Sequence, residues 1–165
     1  LAVAPDGRVF VSDTGHKRLV VFFFFGRFMN TIGGEGAGPG QFVEPVGLTV
    51  TSNNEVYVAD VGNRRIQVLG TDGGFHRQWN ILGWTEDSQG MIWVEPYIAV
   101  GPDGWIYVSD SKRKLIHRFN RGGKQVVLGK SSTGFGLPKG IACGPEGFVY
   151  VVDQERCQVQ KFQFQ

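Results

Sequence analysis

Four aspartates recur at one place in the pattern of this chain. Asp13, Asp60, Asp110 and Asp153 close the runs VFVSD, VYVAD, IYVSD and VYVVD, at spacings of 47, 50 and 43 residues. A repeated carboxylate can serve as a base or a metal ligand. Here each one directly precedes a tight polar loop whose backbone amides need acceptors, which predicts that the side chain closes a turn. The loops themselves read TGHKR, VGNRR, SKRKL and QERCQ. They carry Lys17, Arg18, Arg64, Arg65, Lys112, Arg113, Lys114 and Arg156, eight of the 17 lysines and arginines. Cations clustered in this way are candidates for binding phosphate groups. Two features weigh against a strong positive field: the acids Glu35, Glu44, Glu86, Asp87 and Glu95 lie in the intervening connectors, and no aromatics for base stacking interleave with the cations.

Other chemistry is sparse. The three histidines, His16, His76 and His117, fall in three different kinds of segment, a loop, an outer strand and a third strand. They are not expected to converge on a metal ion, so neither a metal site nor a cofactor is assigned. No G-x-S-x-G elbow, HExxH or P-loop occurs, and the PDG and PEG turns at Asp6, Asp103 and Glu146 offer too few ligands for a calcium loop. No catalytic residue is assigned. Cys143 and Cys157 are placed on strands separated by a third, and two strand spacings of about 4.8 Å exceed disulfide reach. Two free thiols are expected.

The elements that must position these residues are short strands. Upstream of each aspartate run lies a second apolar run closed by a turn (LAVAPDG, GLTVTSNN, IAVGPDG, IACGPEG), and downstream a third (RLVVF, RIQVL, LIHRF, QVQKF). A fourth follows in three of the repeats, as FMNTIGG, FHRQWNILG and QVVLG. Four short strands in a period of this length predict a propeller blade. In the second strand, Val9/Val11, Val56/Val58, Ile106/Val108 and Val149/Val151 alternate with Phe10, Tyr57, Tyr107 and Tyr150. Apolar character on both faces predicts a sheet covered on both sides. The composition, 41% hydrophobic and 19% charged over 165 residues, is that of an ordinary globular domain, and a net charge of +2 does not by itself imply an acidic partner. No apolar run reaches the roughly 18 to 20 residues of a membrane span, and no signal peptide is readable, so the compartment stays open.

The most unusual stretch is VVFFFFGRFMN. Aligning the third strands sets Phe22 against Leu69 and Phe119, and Phe28 against Phe75. Phe23, Phe24 and Phe25 then occupy a hairpin turn and form an exposed apolar tip on the outer rim.

These residues resemble the NHL-repeat family of β-propellers. The runs VSDTGHKRLVVF and VADVGNRRIQVL match its signature segment, and GGEGAGPGQFVEP matches its connector. An aromatic three residues before the connector proline also recurs, as Phe42 before Pro45, Trp93 before Pro96 and Phe135 before Pro138. The resemblance implies an all-β fold of four-stranded antiparallel blades, four of them in this chain as one segment of residues 1–165, with blades at about 1–46, 47–97, 98–139 and 140–165. The last would lack its outer strand, and the whole would be part of a six-bladed propeller that continues in both directions or pairs through its open edges. Arg18 and Arg65 stand at the family's usual arginine position, where pairing with the strand-end aspartate is expected. Lys17, Arg64, Arg113, Lys114 and Arg156 stand where the family commonly has asparagine. The implied function is a non-enzymatic scaffold that presents rim loops to a protein, peptide or glycan. Two alternatives stand beside it: RNA binding through the basic loops, and a lyase whose site lies in other blades, since the first strands that would line a channel here contain no histidine.

Overall fold

The computed structural model describes residues 1–84, 95–128 and 134–163; the side chains of Val127 and Leu128 are not among those described. The chain forms two compact units, Leu1–Ile92 and Trp93–Gln165.

The first unit holds two four-stranded sheets. One runs in the order β1 (Ala2–Val3), β2 (Val9–Asp13), β3 (Arg18–Phe22), β4 (Phe28–Ile32), and the other β5 (Pro45–Val50), β6 (Glu55–Asp60), β7 (Arg65–Gly70), β8 (Phe75–Asn80). Every neighbour pair is antiparallel, so each sheet is a meander closed by hairpins. The alternation of side chains turns Phe10, Leu19 and Val21 of one sheet toward Leu48, Val56 and Val58 of the other, with Ile32, Phe42 and Leu69 completing the core.

The second unit repeats the plan. Strands β9 (Ile98–Val100), β10 (Ile106–Asp110), β11 (Leu115–Phe119) and β12 (Gln125–Leu128) form one sheet, and β13 (Pro138–Cys143), β14 (Phe148–Asp153) and β15 (Gln158–Gln163) the other. Tyr107 and Ile116 pack with Phe135, Val149 and Val151. Phe42 and Phe135, the aromatics before Pro45 and Pro138, are thus core residues of their own units. Trp93, Glu86 and Asp87 lie outside the described residues.

Two-sided burial is complete in β6 and β10, where every residue is buried. It is partial in β2 and β14: Phe10 is buried while Val9 and Val11 are half-buried, and Val152 is exposed. Strands β5 and β13 start at Pro45 and Pro138, a residue or two before the expected blade boundaries. Proline suits a first strand position because it has no amide to donate to the ladder.

Candidate functional site: the strand-end carboxylates and their loops

Each second strand delivers its aspartate to the base of a loop. At Asp60 and Asp153 the carboxylate reaches beyond the turn, whereas among the described residues Asp13 bonds only the His16 and Arg18 side chains and caps no backbone amide. Asp60 is fully buried; its Oδ1 accepts the amides of Val43 and Glu44, both at 3.0 Å. Its Oδ2 accepts from Arg65 Nε at 3.1 Å and Asn63 Nδ2 at 2.7 Å. The connector leading to β5 is therefore bolted to the end of β6. Asp153 repeats the arrangement: it accepts the amides of Gly136 and Leu137 at 2.9 and 3.0 Å, that of Arg156 at 3.3 Å, and Gln160 Nε2 at 2.8 Å. The turn-closing bond expected from sequence is present at Arg156 and at Arg113, whose amide donates to Asp110 at 2.9 Å. The connector amides are the additional partners, and they come from residues 16 or 17 positions upstream.

Electrostatics follow the hydrogen bonds. Burial raises the Asp153 carboxyl, but the Gly136, Leu137 and Arg156 amides outweigh it and hold the group below its ordinary value. At Asp110 the same burial is outweighed by His117 and the Arg113 amide. Asp13 is lowered chiefly by the hydrogen bond from His16, with Arg18 adding to it. Acids held ionised among donors are poor bases, so the arrangement fixes backbone.

The partner of the aspartate differs from blade to blade. Arg18 reaches Asp13 at 3.0 Å and Arg65 reaches Asp60 at 3.1 Å. In the third sheet Leu115 stands in the arginine position, and buried His117 takes over, its Nε2 lying 3.0 Å from Asp110 and its Nδ1 2.6 Å from Gln125 Nε2. Gln160 holds the same register position in the fourth sheet and Gln67 in the second, where it grips Gly40 N and Gln41 O. Sequence reasoning assigned no role to these third-strand residues. The signal was present: a polar residue in an apolar strand, and leucine where two other repeats have arginine.

The eight candidate cations separate into groups. Arg65 is a correction to the binding set: it is 3% exposed, and besides Asp60 its guanidinium donates to the carbonyls of Ala37, Gly38 and Gln41 and to Gln78 Oε1, at 2.7 to 3.0 Å. With every donor used inside the protein, it has nothing left for a ligand. Arg18, Arg113 and Arg156 face the aspartates of their own blades, at 3.0, 3.2 and 3.8 Å. Lys114 pairs with Glu155 at 2.9 Å. Lys17 is half-buried, and Arg64 and Lys112 are exposed. Lys17 partly offsets the burial that pushes the Glu44 carboxyl up.

Backbone geometry explains why the family places asparagine at one of these positions. Lys17, Arg64, Lys114 and Cys157 are the last loop residues before their third strands, and their φ angles are 56°, 57°, 58° and 51°. Asparagine tolerates this left-handed region better than longer side chains do.

The other chemistry-bearing residues are dispersed. His16 bonds Asp13 at 2.9 Å and His76 lies 3.8 Å from Glu55. No group of three or more His, Cys, Asp or Glu side chains suited to a metal ion occurs among the described residues. Both cysteines are free, Cys143 with its thiol pushed up to about 12 by burial, and Cys157 exposed. No helix among the described residues is long and apolar enough to cross a membrane. Phe23, Phe24 and Phe25 lie on the hairpin joining β3 to β4, and all three are exposed.

Antiparallel four-stranded sheets pinned by a strand-end carboxylate define a β-propeller protein, and residues 3–83 match the model of a family described as a 6-bladed β-propeller. Its repeats are of the NHL type. The chain is 31% identical over 116 residues to the protein brain tumor of Drosophila melanogaster, an alignment covering 70% of this chain and 10% of that protein. It is 51% identical over 51 residues to human E3 ubiquitin-protein ligase TRIM32, covering 31% and 8%. It is 33% identical over 88 residues to human NHL repeat-containing protein 3, covering 53% and 22%. The chain thus spans about a quarter or less of the length of these relatives. Among solved structures, a virginiamycin B lyase from Staphylococcus aureus matches with a TM-score of 0.69 at 17% identity, over 98% of this chain and 54% of that one. A chain of a nidogen/laminin complex matches with a TM-score of 0.66 at 17% identity, over 98% and 57%. At that identity these two show likeness of fold.

Proposed function

We propose that this chain is a segment of a non-catalytic NHL-type propeller that presents its second-to-third strand loops to a protein, peptide or glycan partner. One observation carries the reading. The loops after β6 and β10 spring from strand ends whose carboxylates bond backbone amides, so that the exposed side chains of Arg64 and Lys112 stand on a rigid base. A preorganised loop loses little conformational entropy on binding. The relative named NHL repeat-containing protein 3 shares the repeat type on which this reading rests.

RNA binding through the basic loops is the weaker reading, because the carboxylates beside Arg18, Arg113, Lys114 and Arg156 cancel much of the positive field at contact distance. The lyase neighbour contributes only its fold to the argument.

The test is a screen of the purified protein against peptide and glycan arrays, with each binder remeasured on Arg64→Glu and Lys112→Glu variants. A scaffold acting through these loops loses affinity roughly tenfold or more on one of them, with an unchanged circular dichroism spectrum. Fluorescent single-stranded RNA is titrated at two salt concentrations alongside. Tight binding that collapses at the higher salt would replace this reading with the RNA one.

A further inference from the structure

The β3–β4 hairpin has two sisters in the same chain, and together they form an internal control. In the Phe turn, Phe23 N donates to Arg27 O and Gly26 N donates to Phe23 O, both at 2.8 Å, with Gly26 at φ +79°. In the β7–β8 turn, Gly70 N donates to Gly74 O at 2.8 Å and Gly73 N to Gly70 O at 2.9 Å, with Gly73 at φ +93°. In the β11–β12 turn, Asn120 N donates to Lys124 O at 3.2 Å and Gly123 N to Asn120 O at 2.9 Å, with Gly123 at φ +81°. The backbone is the same in all three.

The side chains are not. Where the β7–β8 turn has Thr71 and Asp72, and the β11–β12 turn Arg121 and Gly122, the first hairpin has Phe24 and Phe25. Asp72 caps its turn by accepting the Gly74 amide at 3.0 Å, and Asn120 accepts the amides of Gly122 and Lys124. A phenylalanine supplies no such cap. Nor do these rings fill the core: Phe24 is 64% and Phe25 81% exposed, their rings touching at 3.5 Å between centroids and tilted 38° to each other. Phe28 and Met29 extend the apolar surface along β4. Phe24 leans on Gly7 of the β1–β2 turn and Phe23 is 43% exposed, but most of the Phe24 and Phe25 ring surface is left open for a contact outside the local fold.

The chemistry of the tip selects the partner. From Val20 to Gly26 no side chain can form a hydrogen bond. Protein interfaces carry on average roughly one hydrogen bond per 100 to 200 Å², whereas a bilayer interface demands none from an apolar tip. The turn's own two backbone bonds satisfy the amides of Phe23 and Gly26, which would otherwise resist leaving water. Arg27 follows the glycine, exposed and without an ion pair among the described residues, whereas Arg8 on the adjacent β1–β2 turn is held by Asp6 at 2.7 Å. We propose that the Phe23–Phe24–Phe25 tip inserts into the interface of an anionic lipid bilayer, with Arg27 meeting the headgroups.

The experiment is co-sedimentation of the purified protein with vesicles of phosphatidylcholine alone and of phosphatidylcholine with phosphatidylserine. The deciding variant, Phe24→Thr with Phe25→Asp, rewrites the tip as its sister turn, whose fold is already present in this chain. Its new carboxylate would be placed to cap the Arg27 amide as Asp72 caps that of Gly74, so loss of binding cannot be laid to loss of folding. Circular dichroism checks this directly. Partitioning is expected to fall roughly a hundredfold, about tenfold per ring removed. Arg27→Gln is expected to weaken binding about fivefold on phosphatidylserine vesicles and to leave phosphatidylcholine binding unchanged. The proposal is overturned if the unaltered protein stays in the supernatant at millimolar lipid, or if the double variant sediments equally well. It is also overturned if the rings instead drive a concentration-dependent dimer that the double variant abolishes, with no vesicle binding.

Discussion

At the scale of single residues, Asp60 and Asp153 accept amides 16 or 17 positions upstream, Asp110 accepts the nearby Arg113 amide and His117, and the ionised form that these donors favour has a pH signature. Asp110 and Asp153 are held below the ordinary aspartate value, so in the acid range the unfolded chain binds protons that the folded chain does not. Their contribution to stability is complete above about pH 4 and drains away as the pH falls through the lowered folded values. The melting temperature is expected to drop below pH 4, and Asp153→Asn, which keeps one oxygen acceptor, to melt lower at pH 7 and to lose part of the acid slope. An unchanged slope in that variant would mean that the amides of Gly136 and Leu137 do not stabilise the ionised carboxylate. Both the position of Asp153 and a turn role were legible from the repeat. Its connector partners were not, because a spacing of 16 or 17 residues carries no local pattern.

At the scale of elements, the connector Gly33–Phe42 shows why this family-like segment is rich in glycine. Gly33 sits at φ +83°, and a Cβ there would run into the Phe42 ring and, at 2.8 Å, the Gly40 carbonyl oxygen. The loop is folded this tightly because Arg65, Gln67 and Asn63 of the neighbouring strand and loop gather its carbonyls. Gly33→Ala is expected to destabilise the protein by about 1 to 2 kcal/mol or more in denaturant titration, combining the backbone strain with the displaced ring. A neutral result would show that the connector relaxes freely. Cations of the third strands also cover aromatics at the start of the second: Arg118 lies over Trp105, the residue before β10, at 3.8 Å, and Lys161 over Phe148, the first residue of β14, at 3.6 Å.

At the scale of the whole molecule, burial is unevenly distributed among the sheets. Strands β6, β7, β10 and β11 are buried along their full length, whereas the described residues of β4 and β15 are mostly exposed. Amide hydrogen exchange is expected to be slowest in those four strands and fastest in β1 and β15. Uniform protection across all the sheets would contradict this gradient. The exposed tip belongs to the fast side of it, which suits an element whose contacts lie outside the sheet.

The amino-acid sequence determined the strands, their hairpins and the placement of the Phe turn, because side-chain alternation and turn residues are local properties that the repeats print four times over. It also grouped the eight cations at the second-to-third strand loops, of which Arg18 and Arg65 open the third strands themselves. Which of them remain available to a partner was decided only by the tertiary structure. Arg65 and Arg64 are neighbours in sequence with the same charge, yet one is sealed against four backbone and side-chain acceptors from residues 37 to 78 and the other is exposed. Arg65 opens β7, a strand buried along its full length, and the connector's carbonyls close round it, whereas Arg64 is the last residue of the preceding loop, at φ 57°.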